Sequence, residues 1–161
     1  MPQHPISPVY DERSRVLILG SFPSVKSREQ MFFYGHPQNR FWRVIAAVMR
    51  VDVPATVEEK RRFLLDHRIA LWDVIASCDI TGSSDSSIKN VVANNLTAIL
   101  ETAPVRQIFV NGKTAERYYN RYIRAAVGRE AICLPSTSPA NAACSIERLV
   151  DAWSVVARSM D

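Results

Sequence analysis

The sequence predicts an α/β domain, a three-layer sandwich in which a central four-stranded, mainly parallel sheet is flanked by helices. Two observations carry this. Four short, continuous apolar runs, at residues 15–19, 69–75, 106–110 and 131–134, are patterned like parallel strands buried on both faces. Between and after them lie segments with helical spacing, and alternating strand and helix predicts parallel pairing with helices on both faces. Each run ends on a loop of Gly, Pro, Ser, Thr, Asn or Asp. Parallel topology brings those four loops to one edge, where open α/β sheets gather ligands, so that edge is the expected active face.

In chain order, a Pro-rich lead-in over 1–14 with Pro2, Pro5 and Pro8 precedes the first run, which stops at Gly20-Ser21-Phe22-Pro23-Ser24. Residues 26–39 show no clean period but concentrate Met31, Phe32, Phe33 and Tyr34 in an apparent loop. Asn39 can cap a helix through Arg50 that buries Phe41, Val44, Ile45 and Val48. Thr56, with Glu59 three places later, forms a capping box opening a helix to His67. The second run enters a polar loop of Ser77, Cys78 and Asp79, continued by 81–87. Ile88, Val91, Val92, Leu96 and Ile99 read as a helical stripe. The third run ends at Asn111-Gly112 and is followed by a helix from Lys113 to about Ala126. After the fourth comes Pro135-Ser136-Thr137-Ser138-Pro139, and Ala143, Ile146, Leu149, Val150, Trp153, Val156 and Met160 make a closing amphipathic helix. One domain over 1–161 is expected.

Composition narrows the function classes. Of 161 residues 47% are hydrophobic and 22% charged, ordinary globular values that exclude a disordered tail or a fibrous repeat. Twenty Lys and Arg against 16 Asp and Glu leave a net charge of +4, compatible with a polyanionic partner. Cys78, Cys133 and Cys144 are too few and too scattered for a disulfide framework or a four-thiolate cluster, which fits a reduced, cytoplasmic setting. No apolar span approaches twenty residues and no signal pattern opens the chain, so neither membrane nor secretion is expected. Gly20 stands without the further glycines of a dinucleotide or phosphate-binding loop, and no Gly-x-Ser-x-Gly elbow occurs. His4, His36 and His67 lack metal-ligand spacing, so no metal and no cofactor are expected.

What remains at the strand ends is aromatic rings, amides, hydroxyls and one or two carboxylates among arginines. Such a set suits a flipped base: rings stack on its face, amides and carboxylates read its edge, and hydroxyls hold flanking phosphates. Gly20-Ser21-Phe22-Pro23-Ser24, His36-Pro37-Gln38-Asn39-Arg40-Phe41-Trp42, Leu71-Trp72-Asp73-Val74, Gly82-Ser83-Ser84-Asp85-Ser86 and Leu134-Pro135-Ser136-Thr137-Ser138-Pro139-Ala140 together resemble the uracil-DNA glycosylase superfamily. Within it they most resemble the DNA-deoxyinosine (hypoxanthine-DNA) glycosylase branch, from about Arg15 to Trp153.

The resemblance implies a monofunctional glycosylase acting as a monomer on nucleoid DNA that contains deaminated bases, hydrolysing the glycosidic bond to leave an abasic site. It places Phe22 where most relatives carry a water-activating Asp or Asn; a phenyl ring cannot orient water, so Phe22 is grouped with the rings that meet the base. Asn39 then becomes the expected catalytic amide, with a plain helix cap as its other reading, and Ser21 is the second polar group at the reaction centre. Tyr34, or Phe33, matches the ring stacked on the base, and Asp73 matches a base-reading amide. Ser24, Pro135, Ser136, Thr137 and Ser138 correspond to positions at the DNA backbone and minor groove, joined by Lys113. Asp85 matches a recurring block of the branch, and capping a following helix is its expected role. A uracil or mismatch glycosylase, and a non-catalytic module binding damaged or single-stranded nucleic acid, are the alternatives.

Overall fold

The computed structural model describes residues 4–160; Pro2 of the lead-in and the two chain ends lie outside the described residues. Four parallel strands, β1 (Val16–Gly20), β2 (Ile69–Asp73), β5 (Gln107–Asn111) and β6 (Ala131–Leu134), form the central sheet in the order β2-β1-β5-β6. The chain leaves β1 for β2 on one side and later returns to β5 on the other. The order therefore reverses between β1 and β5, the kind of crevice where open α/β sheets bind ligands.

Both faces of the sheet are buried, which is why its strands read as unbroken apolar runs. Val16, Ile18, Ile69, Leu71 and Phe109 turn to one face, against α2 (Phe41–Met49), α3 (Val57–Asp66), α7 (Ile146–Trp153) and α8 (Val155–Arg158). Leu17, Leu19, Ala70, Ile108 and Val110 turn to the other, where α4 (Thr97–Thr102) and α5 (Lys113–Tyr122) bring Ile99, Ala115, Tyr118 and Tyr119. The Thr56 hydroxyl accepts the Glu59 N–H at 3.0 Å, as the capping box requires, but the Glu59 carboxylate reaches back to Ala55 N–H instead of Thr56.

Three expectations need correction. The stripe from Ile88 to Ile99 is not one helix: β4 (Lys89–Ala93) occupies its first half and α4 its second. Its partner is β3 (Ile75–Asp79), which takes in Ser77, Cys78 and Asp79, read above as loop; Ile75, Ser77 and Asp79 pair antiparallel with Ala93, Val92 and Lys89. Register shifts along this hairpin break the alternation of a strand, and the spacing left at Ile88, Val91 and Val92 imitates a helix. Residues 26–39 are not wholly loop, since α1 (Val25–Gln30) opens them, capped by Ser24. The lead-in is also tied to the sheet: Val9 pairs antiparallel with Leu71, and Trp72 Nε1 donates to Ile6 O at 3.1 Å.

Candidate active site

The register sets the C-terminal ends of the strands level: Gly20 lies opposite Asp73, and Asn111 opposite Leu134. A cleft of about 480 Å³ opens above them. Its lining includes Ser21, Phe22, Ser24, Phe33, Tyr34, Asn39, Asp73, Ser136, Thr137 and Ser138, segments far apart in sequence that the fold gathers in one place. Pro135 and Lys113 stand outside it and line an adjoining groove with Gly112, Glu116 and Cys133; Ser136, Ser138 and Asp85 border both.

Asn39 lies one residue before Arg40, the N-cap of α2, so it is not the cap expected from the sequence; its Oδ1 instead accepts the Phe41 N–H at 2.9 Å in the turn that leads into the helix. The same oxygen accepts the Thr137 hydroxyl at 2.9 Å. Since a backbone N–H can only donate, this end of the amide must be the carbonyl, and Nδ2 is the end left unengaged by described residues. Thr137 is fully buried and its hydroxyl in turn accepts from Asn111 Nδ2 at 3.0 Å. Asn111 is oriented by the same logic: its Oδ1 accepts the Thr137 N–H at 3.1 Å, and its Nδ2 also donates to the Tyr34 hydroxyl at 3.2 Å. Asn111, Thr137 and Asn39 thus form one directed chain from β5 across the loop after β6 to α2.

Tyr34 lies in the left-handed region, φ 53°, and its ring stacks on Phe41 with centroids 4.2 Å apart, so only its second face is available to a base. Burial, together with the nearby Asp73 carboxylate, pushes the Tyr34 hydroxyl far above its ordinary range, and it remains a proton donor at any working pH. Phe33 is nearly inaccessible, and its carbonyl accepts Trp42 Nε1 at 3.1 Å. Phe22 is buried beneath the Arg28 guanidinium, 5.4 Å above its ring. Asp73 is buried and its Oδ2 accepts His4 Nε2 at 2.7 Å. Gly20 must lack a side chain here, because a Cβ would meet Asp73 Oδ1 at 2.4 Å and the Tyr34 hydroxyl at 2.9 Å.

The hydroxyls expected at the DNA backbone accept hydrogen bonds within the protein, which leaves the Ser136 and Ser138 hydroxyl hydrogens free, among the described residues, to donate to a phosphate. Ser24 accepts the Ser27 N–H, Ser136 the Ser138 N–H and Ser138 the Ala140 N–H, each at 3.1 Å. Of two arginines near this face, Arg40 is committed internally, donating to the carbonyls of Ser138, Asn141 and Cys144, whereas Arg28 donates only through Nη2, to Gly82 O at 2.9 Å, and its buried Nε has no partner among the described residues. Lys113 is exposed at the start of α5. Asp85 does not cap a long helix but opens a single 3₁₀ turn, Asp85–Ser87, on the rim of the cleft. Desolvation against the cleft rim raises its carboxyl above the ordinary value, opposed by hydrogen bonds from Thr114 and Ser21 and by Arg117.

Sequence reasoning passed over Asn111 and His4 as site residues. Asn111 carried a signal, an amide at the end of a buried strand and directly before Gly112. His4 carried none, since 69 positions separate it from Asp73 and only the docked lead-in joins them.

The model of the Uracil DNA glycosylase superfamily matches residues 7–156. The chain belongs to that superfamily. Among curated relatives of this superfamily member, a protein of Methanosarcina acetivorans named "Hypoxanthine DNA glycosylase" is 36% identical over 152 residues, 93% of this chain and 94% of the relative. Another of the same name from Methanosarcina barkeri is 34% identical over 143 residues, 88% and 89% of the two chains. A solution NMR structure of a Methanosarcina acetivorans protein, described as a candidate uracil DNA glycosylase, superposes with a TM-score of 0.81 at 34% identity, covering 96% of each chain. The glycosylase fold expected from the sequence is therefore the fold observed.

Proposed function

We propose that this protein is a monofunctional DNA glycosylase that extrudes hypoxanthine from deoxyinosine-containing DNA and hydrolyses its glycosidic bond. The observation that carries the reading is the directed chain of Asn111, Thr137 and Asn39 at the strand-order reversal, which supplies a fixed amide where Phe22 removes the usual water-activating group. The names of both Methanosarcina relatives support the choice of base.

The chemistry follows from what an amide can do. Departure of the purine leaves a cation-like sugar, so placing water beneath C1′ counts for more than taking its proton. With Oδ1 occupied twice, Asn39 acts through Nδ2, donating to the water oxygen and fixing its position. Water adds hydroxide to C1′, the C1′–N9 bond breaks with its electrons leaving on the purine, and one proton returns to the purine. Tyr34 offers its open face to the base, Asp73 its carboxylate to the base edge, and Ser21 lies beside the reaction centre. Ser24, Pro135, Ser136, Ser138 and Lys113 form the wall and adjoining groove along which the DNA backbone runs, while Thr137, fully buried, orients Asn39 instead of meeting DNA. The reading includes one domain acting as a monomer on nucleoid DNA in the cytoplasm; among the described residues no helix is long and apolar enough to cross a membrane.

Oligonucleotides carrying one hypoxanthine, uracil, xanthine or mismatched thymine test the proposal in single turnover. Strand breaks at hypoxanthine that appear only after alkali are expected. Preferential breakage at uracil would replace the proposed branch, and bound DNA without product at any lesion would make the protein a sensor.

A further inference from the structure

His4, on the lead-in that several contacts hold against β2, lies behind the cleft wall and meets it through Asp73. Its own N–H donates to Ala76 O at 2.6 Å, Trp72 Nε1 donates to Ile6 O, and Val9 exchanges both backbone hydrogen bonds with Leu71 at 3.0 and 2.9 Å. The ring is packed within a box of Phe22, Phe33 and Trp72, with centroids 5.9, 6.1 and 6.1 Å away, and its side chain is 3% exposed. Its tautomer is settled by its neighbours. The Ile6 N–H donates to Nδ1 at 3.2 Å, so Nδ1 carries no hydrogen and Nε2 is the donor to Asp73 Oδ2.

Asp73 is accordingly held by a neutral donor on one oxygen. No Lys or Arg among the described residues pairs with it, and no described residue donates to Oδ1, which stands over Gly20 at the cleft. Oδ1 is reached from the cleft, so a donor on a base seated there would complete it.

We propose that His4 is a positioning residue that fixes Asp73 as an acceptor-only reader, selecting bases that present a lactam N–H and rejecting those with an acceptor at the same place. The proposal deepens the glycosylase reading and rests on it. Hypoxanthine offers N1–H to Asp73 Oδ1. Adenine, from which hypoxanthine arises by deamination, has a bare N1 lone pair there, so two acceptors face each other and the normal base is refused.

Single-stranded oligonucleotides carrying hypoxanthine or adenine on a 2′-fluoroarabino sugar, whose fluorine suppresses cleavage, report binding without turnover. Wild-type protein binds the hypoxanthine strand more tightly. His4→Phe fills the aromatic box without the donor and reduces that preference by about tenfold or more, the scale of one hydrogen bond to a charged group. His4→Gln, which offers an amide N–H near the Nε2 position, retains the preference to within about threefold. Asp73→Asn, whose carbonyl is taken by His4 Nε2–H so that its NH2 faces the cleft, removes it. Equal wild-type affinity for the two bases overturns the proposal. So does an undiminished preference in folded His4→Phe, or in Asp73→Asn should His4→Phe not fold. Failure of the underlying reading shows separately, as wild-type protein that does not release hypoxanthine from an unmodified deoxyinosine strand.

Discussion

In the proposed reaction Asn39 uses Nδ2 for the water while its Oδ1 ties the start of α2 to Thr137, and substitutions can separate the two. Asn39→Ala removes the acceptor for the Phe41 N–H and should lower stability by about 1 kcal/mol, the usual size of a lost hydrogen bond, while leaving DNA affinity close to wild type. Thermal melting and a binding titration check both. Thr137→Val keeps the buried shape but deletes the hydroxyl that donates to Asn39 and accepts from Asn111. That change should slow base release at least about tenfold through loss of orientation, at a stability cost of about 1–2 kcal/mol. Unchanged single-turnover rates in Thr137→Val would show that the chain does not orient Asn39. Asp85 gives a pH test with a defined sign. Its carboxyl is raised in the folded protein, so the ionised form weighs against folding at neutral pH and this penalty disappears as the group protonates. The melting midpoint of wild type minus that of Asp85→Asn should become more positive as pH falls from about 7 to about 4; the opposite slope contradicts the assignment.

At the scale of elements, Arg40 joins the start of α2 to the loop after β6. Its guanidinium donates to three carbonyls, of Ser138, Asn141 and Cys144, and its own N–H donates to Thr137 O at 3.1 Å. Arg40→Ala should therefore destabilise the fold by about 3 kcal/mol and loosen Thr137, with melting temperature and hydrogen exchange of residues 136–144 as the readouts. A loss confined to DNA affinity would mean that Arg40 meets phosphate instead. The strands and the main helices were legible because burial on both faces leaves unbroken apolar runs and amphipathic helices leave a stripe. The hairpin of β3 and β4 was not, because its register shifts destroy the period that identifies a strand. Helix α1 escaped for a different reason: it is six residues long, and only Ser27 is buried.

For the whole molecule, topology decides what sequence can disclose about the site. Strand ends, aromatics and Asn39 were visible as residue types beside predicted turns. Their gathering into one cleft follows from the reversal of strand order between β1 and β5. Hydrogen-bond commitments were invisible: Arg40 and Ser24, both near the expected DNA face, spend donors within the fold, on the carbonyls of Ser138, Asn141 and Cys144 and on Ser27 Oγ. His4 was hidden for a related reason, since its partner lies on the other side of a long stretch of chain. A basic chain with an exposed Lys113 beside the cleft should bind DNA more weakly as salt rises, and Lys113→Ala should make that dependence shallower. The most direct test of the central claim is free hypoxanthine, quantified by mass spectrometry, released in single turnover from a deoxyinosine duplex by wild type and by Asn39→Ala. The account requires stoichiometric release by the wild type and a rate reduced about a hundredfold or more in the variant, the size of a lost positioning group. Equal release by both proteins, or none by the wild type, would contradict it.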